Sequence, residues 1–217
     1  EAPFIEACYT GHLDIVKWLL EVKPDIDISC DDEKPFRFVC QEGYLEVAKW
    51  LLEVKPDIDI SISDENPFRN ACSCGHLEVA KWLLEVKPDI DISVDDFSGH
   101  NTAFRSACSR GHLDVAKWLL EVKPDINISI SDYNDYNSPF RWACYGGHSD
   151  VAKWLIEIIP DFVNYEEPFC IACDEGNLCV AKWLLEIKPD IDISVNNEEP
   201  FRLACKRVKL DVVEWLL

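Results

Sequence analysis

Seven near-copies of one phrase, clearest in PFRNACSCGHLEVAKWLLEVKPDIDIS from Pro67 to Ser93, constrain this chain more than any other feature. A fixed internal period means one local structure built repeatedly, each copy burying its apolar face against its neighbours. Tryptophan supplies the ruler: Trp18, Trp50, Trp82, Trp118, Trp154, Trp183 and Trp215 are separated by 32, 32, 36, 36, 29 and 32 residues. All of that length variation falls between the Lys-Pro-Asp stretch and the next Pro-Phe. Constant packed elements joined by connections that tolerate insertion explain the pattern.

Within a unit, LEVAKWLLEV from Leu45 to Val54 spreads apolar residues over most of a helix circumference and leaves one polar stripe, Glu46, Lys49 and Glu53. That spacing predicts a helix packed between neighbours with a single ridge in water. Pro56 cannot continue it, so the helix ends near Lys55, whose charge complements the dipole there. Upstream, PFRFVC opens with Pro35 at a first helical position, and Gly43 closes that shorter helix before the next begins. The IDISIS that follows alternates branched apolar and small polar residues, which predicts a brief extended arm.

Charge excludes several partners. Lys and Arg total 21 against 41 Asp and Glu, giving a formal charge of −20 over 217 residues, and such a chain repels nucleic-acid phosphates and anionic membrane surfaces. No apolar run approaches the roughly 18 residues of a membrane span. The chain reads as soluble, and with Glu1 already inside a repeat and Leu217 inside a helix, as a segment of a longer array.

Helix, tight turn, helix and arm in about 32 residues resemble the ankyrin repeat over the entire chain. PFRNAC stands where that family has its proline-leucine-histidine-x-alanine-alanine run, GHLEVAKWLL at its glycine-histidine turn and second helix, and KPDIDIS at its glycine-alanine-aspartate-valine-asparagine stretch. The wording resembles the ankyrin arrays of giant DNA viruses of amoebae. The resemblance implies an all-α solenoid of about seven helix-turn-helix units with short extended hairpin arms, in one array with units at 1–34, 35–66, 67–102, 103–138, 139–167, 168–199 and 200–217. It also implies a protein-binding scaffold without catalysis, its groove on the concave side. Two alternatives stand beside it: a targeting module for a catalytic or ubiquitin-ligase-recruiting domain outside this segment, and a cysteine-based metal or redox sensor.

Candidate chemistry is sparse. Seven of the eleven cysteines, Cys8, Cys40, Cys72, Cys108, Cys144, Cys173 and Cys205, occupy one repeat position usually held by alanine, and read as buried small thiols. Cys170 and Cys173 form a lone C-x-x-C without a second pair, so no metal or cofactor is expected. An odd number of thiols points to a reducing compartment, cytoplasmic or nuclear. His12, His76, His112 and His148 recur after the turn glycine, and four equivalent copies argue for a structural turn rather than one asymmetric catalytic base. No phosphate loop, zinc-protease or nucleophile-elbow motif is present, and no small-molecule substrate is expected.

Arg37, Arg69, Arg105, Arg141 and Arg202 replace the family's first-helix histidine. Internal pairing with arm carboxylates such as Asp59, Asp91 and Asp192 is the expectation, against the alternative of an anion-binding ladder. The binding surface is sought where repeats differ: the pair before the turn glycine, which includes Arg110 and Tyr145, and two long connections. From Pro88 to Ala103 and from Pro124 to Pro139 the chain takes 15 residues, against 11 after Pro24, Pro56 and Pro189. The extra residues bring Phe97, His100, Tyr133 and Tyr136 among turn formers, where large aromatics serve no core and suit an interface. The expected partner is a protein with a basic surface, met by Phe97, His100, Tyr133, Tyr136, Arg110 and Tyr145.

Overall fold

Each repeat folds as two helices joined by a short turn. The computed structural model describes residues 1–92, 103–126, 128, 138–159 and 165–217. Its helix pairs are α1 (Ala2–Tyr9) and α2 (Leu13–Val22), α3 (Cys30–Gln41) and α4 (Leu45–Val54), α5 (Ile62–Ser73) and α6 (Leu77–Val86), then α7 (Ala103–Ser109) and α8 (Leu113–Val122). The remaining pairs are α9 (Pro139–Gly146) and α10 (Ser149–Ile158), α11 (Glu166–Glu175) and α12 (Leu178–Ile187), and α13 (Val195–Lys206) and α14 (Leu210–Leu216). The described residues contain no strand, and none of their helices is long and apolar enough to cross a membrane. The tryptophan helices stop where proline dictates: α4 and α6 end two residues before Pro56 and Pro88.

Two compact units divide the chain, Glu1–Ser106 with Lys117–Lys123, and Ala107–Ala116 with Pro124–Leu217. In the first, α1, α3 and α5 lie side by side in chain order, backed by α2, α4 and α6. In the second, α9, α11 and α13 do the same, backed by α10, α12 and α14. The seam between layers is phenylalanine: Phe4, Phe36, Phe68, Phe140 and Phe169 are fully buried, each worth about 1.5–3 kcal/mol by area removed from water. Phe36 meets Trp82 and Phe68 meets Trp118, ring centroids 6.3 Å apart in both cases. Phe140 and Phe169 meet Trp183 and Trp215 at 6.4 and 6.3 Å. Trp82, Trp118, Trp183 and Trp215 of the ruler are therefore contacts between repeats, each reaching the phenylalanine of the repeat before it.

Turn chemistry accounts for the glycine-histidine pair. Gly43 and Gly111 hold φ of +81°, and a Cβ on either would collide with the imidazole of His76 or His148 in the following repeat. Left-handed backbone and close approach both require glycine. The histidine thus packs on its neighbour's turn. Where the position holds Asn177, the amide donates to the carbonyls of Cys144 and Tyr145 at 2.9 and 2.7 Å, satisfying the open end of α9.

The arms alternate in burial as a strand would, with Ile58 and Ile60 inside and Asp57 and Asp59 outside, yet the backbone turns instead of pairing. Asp27, Asp59 and Asp192 each accept the amide of the serine two residues on, at 3.0, 3.0 and 2.9 Å. This local bond competes with a strand ladder. A left-handed turn follows: Asp31, Asp32 and Glu33 have φ of 52, 58 and 55°, and Asn196, Asn197 and Glu198 have 53, 63 and 58°. Asp and Asn tolerate that region better than most residues. The arginine column closes the turn. Arg37 donates to the Asp31 carbonyl and Arg69 to that of Ser63, both at 3.1 Å, and Arg202 to those of Asn196 and Asn197 at 3.1 and 3.3 Å.

Pairing of these three arginines is internal, and their acceptors are backbone carbonyls rather than the arm carboxylates of Asp59 and Asp192. Arg141 does take a carboxylate, Glu167, at 3.1 Å. Glu33, buried at the end of its turn, accepts from Ser29 Oγ at 2.7 Å and the Asp59 amide at 3.5 Å, tying one arm to the next.

Candidate partner-binding site

With the constant residues committed to the scaffold, the candidate surface is the set of positions that differ between repeats. Three such positions, at i, i+3 and i+4, share one face of each first helix and its turn. They hold Glu6, Tyr9 and Thr10 in the first repeat, Phe38, Gln41 and Glu42 in the second, and Asn70, Ser73 and Cys74 in the third. In the second unit they hold Trp142, Tyr145 and Gly146, then Ile171, Asp174 and Glu175, then Leu203, Lys206 and Arg207.

In the second unit these columns enclose a cavity of about 310 Å³, lined by Arg141, Trp142, Tyr145, Ile171, Asp174, Glu175 and Arg207. That volume lies at the lower end of ordinary ligand pockets. One wall is aromatic: the Trp142 and Tyr145 rings stand edge to face, centroids 5.4 Å apart at 68°, and Tyr145 is 48% exposed. Trp142 Nε1 is shielded from water and donates to nothing among the described residues, a deficit of the order of 1–3 kcal/mol.

The rest of the lining is largely ionic: Arg141, Asp174, Glu175 and Arg207. Arg207 Nε and Nη2 reach Asp174 Oδ1 and Oδ2 at 3.2 and 3.4 Å, and Nη2 lies 3.7 Å from Glu175 Oε1. Hydrogen bonding to Asp174, then the charges of Asp174 and Glu175, hold the guanidinium further in its charged form. The Arg207 side chain is 54% exposed, whereas Asp174 is 22% exposed. Carboxylates seated in the wall and a cation reaching in from the rim suit the recognition of a side chain.

Of the residues expected from sequence, Tyr145 lines this cavity. Arg110 is exposed on the turn after α7 and is not among the lining residues. Phe97, His100, Tyr133 and Tyr136 lie outside the described residues. Trp142, Ile171 and Arg207 were missed. The signal for Trp142 was available, since the chain has eight tryptophans and Trp142 alone stands off the ruler. A second aromatic corner occurs in the first unit, where Tyr9 and Phe38 stand 5.3 Å apart at 68°, with Lys34 Nζ 5.8 Å from the Phe38 centroid.

Cys8, Cys40, Cys72, Cys108, Cys144 and Cys173 are buried, while Cys205 in the last repeat is exposed. Burial pushes the Cys8 and Cys173 thiols up to about 12, far from the thiolate that metals and oxidants require. No group of three or more metal-ligating side chains occurs among the described residues.

Profiles described as "Ankyrin repeats (many copies)" match residues 4–52, 38–84, 75–120 and 104–156, and one described as "Ankyrin repeats (3 copies)" matches residues 140–217. The crystal structure of the human ASB11 ankyrin repeat domain superposes with a TM-score of 0.66 at 19% identity, covering 99% of this chain and 97% of that one. That likeness speaks to fold. No curated protein matches the chain.

Proposed function

The chain belongs to the ankyrin-repeat family, an all-helical solenoid whose members serve as protein-binding modules, and from that premise we propose that it is a non-catalytic array, read as one domain of seven repeats, that binds a protein partner. The observation that carries this reading is the division of labour within each repeat. Phenylalanine, tryptophan, arginine and the turn residues bind repeat to repeat, while the varying positions of the second unit surround an open aromatic and ionic cavity. Aromatic residues at an exposed cavity are preferred interface anchors. A formal charge of −20 favours a partner with a basic surface, whose approach the field accelerates.

Two long connections bearing Phe97, His100, Tyr133 and Tyr136 extend the proposed surface, with Arg110 beside them. The viral wording of the repeats makes a host protein of the cytoplasm or nucleus the first place to search. The test is capture of a partner by the wild-type array, followed by titration against two variants whose melting is checked. One carries Trp142→Ala with Tyr145→Ala. The other has residues 95–102 and 131–138 each replaced by the Ser-Asp-Glu-Asn of Ser63 to Asn66. Each variant is expected to lose at least about 2 kcal/mol of binding, the scale of a hot spot. Full-strength binding by both folded variants would sink the reading.

A further inference from the structure

We propose that the cavity between α9, α11 and α13 is a receptor for an arginine side chain of a basic partner, and that in the free chain Arg207 occupies its anionic half as an internal competitor. The inference deepens the protein-binding reading and rests on it.

Three features point to a guanidinium. The side chains of Asp174 and Glu175 are 22 and 21% exposed and hold their oxygens on a cation, and Asp174 receives Arg207 through both oxygens, at 3.2 and 3.4 Å. Such a two-point fork matches arginine and not the compact ammonium of lysine. The same cavity is lined by the Trp142 and Tyr145 rings, and aromatic faces attract guanidinium groups. Elsewhere the chain already places cations over rings: Lys34 lies 5.8 Å from the Phe38 centroid, and Lys153 and Lys182 lie 5.9 Å from those of Trp183 and Trp215. Among the described residues no cation stands over Trp142 or Tyr145. Arg207 thus satisfies the carboxylates without standing over either ring.

Exchange is energetically plausible. Arg207 is 54% exposed, so its two-point pair with Asp174 lies at the upper end of what an exposed ion pair contributes: enough to keep the site closed about nine-tenths of the time, and little enough for an incoming guanidinium to displace. An incoming arginine replaces one guanidinium by another, so the charge balance at Asp174 and Glu175 is unchanged, and it gains both rings. A carbonyl arriving with the same peptide would also give the shielded Trp142 Nε1 the acceptor it lacks.

The experiment is a titration of the isotope-labelled full chain with acetyl-Gly-Gly-Arg-Gly-Gly-amide, and with the same peptide carrying lysine or neutral citrulline. It is followed at the Trp142 indole N–H, identified by its loss in Trp142→Phe. The arginine peptide should bind at least about tenfold more tightly than the citrulline peptide. Arg207→Ala should tighten arginine binding by about tenfold, because a site blocked by its own competitor binds in proportion to its open fraction. Asp174→Asn, isosteric and so expected to melt unchanged, should abolish the preference over citrulline. Unaltered or weaker binding in Arg207→Ala, or equal binding of both peptides, overturns the proposal. The captured partner separates this failure from that of the broader reading. If Tyr145→Ala weakens the partner while Arg207→Ala and Asp174→Asn leave it unchanged, the arginine receptor is wrong and the binding array stands.

Discussion

Two aromatic corners of almost identical geometry have been built by different routes. Tyr9 and Phe38, 5.3 Å apart at 68°, come from α1 and α3, so their contact joins neighbouring repeats. Trp142 and Tyr145, 5.4 Å apart at 68°, lie three residues apart on α9 alone. The first pair spends its rings on the scaffold and already carries Lys34. The second joins no two helices, shares a cavity with two carboxylates, and among the described residues has no cation over either ring. An aromatic pair is therefore not a site in itself: what distinguishes the second corner is Asp174, Glu175 and Arg207, supplied by the two repeats that follow it.

Beneath both corners the floor should be equivalent, and this gives the largest expected effect. Phe36 and Phe140 are each fully buried against the tryptophan of the next repeat. Phe36→Ala and Phe140→Ala should each lose about 3–5 kcal/mol in urea unfolding. A cost below about 1 kcal/mol at one with the full cost at the other would break the equivalence.

The thiols under the corners supply the next effect. Burial raises Cys8 from 9.0 to about 12 and raises Cys144 as well. A raised folded value means that the native state keeps protons which the unfolded chain releases. Stability from each thiol is therefore complete below pH 9 and lost as pH climbs from there toward the folded value, at about 1.4 kcal/mol per pH unit per thiol. Urea midpoints between about pH 8 and pH 10.5 should fall steeply. Cys8→Ala and Cys144→Ala should each flatten that fall, and a midpoint indifferent to alkali, or unaffected by either substitution, would show the thiols to be already exposed.

Legibility followed the physics of each element. The tryptophan helices were readable to within about a residue because period and proline both act locally: the end expected near Lys55 falls at Val54. In the arms two causes give the same alternation, so the turn itself was not legible: Ile58 and Ile60 point inward as in a strand, while Asp59 bonds the Ser61 amide and bends the chain. The partners of the arginine column could not be read, since a carbonyl six residues upstream is an acceptor without a side-chain signature. At the site, Tyr145 stood out as a varying residue and Trp142 could have. Arg207 was hidden by a broken motif, because Val208 occupies the turn position of glycine at φ 57°, and the glycine-histidine landmark is gone.

The smallest effect tests the corners directly. Edge-to-face pairs contribute about 0.5–1.5 kcal/mol beyond area, and a pair that joins two helices passes that energy to the fold. Three-residue neighbours on one helix contribute only about 0.2–0.5 kcal/mol. A double-mutant cycle in urea with Tyr9→Ala and Phe38→Ala should therefore return a coupling near 1 kcal/mol. The cycle with Trp142→Ala and Tyr145→Ala should return less than about half of that. The order matters more than the values, because single substitutions also remove packing that differs between the rings, and only the coupling isolates the pair. If the α9 pair proved the more strongly coupled, its rings would be serving the fold, and a partner would find there a wall already in use.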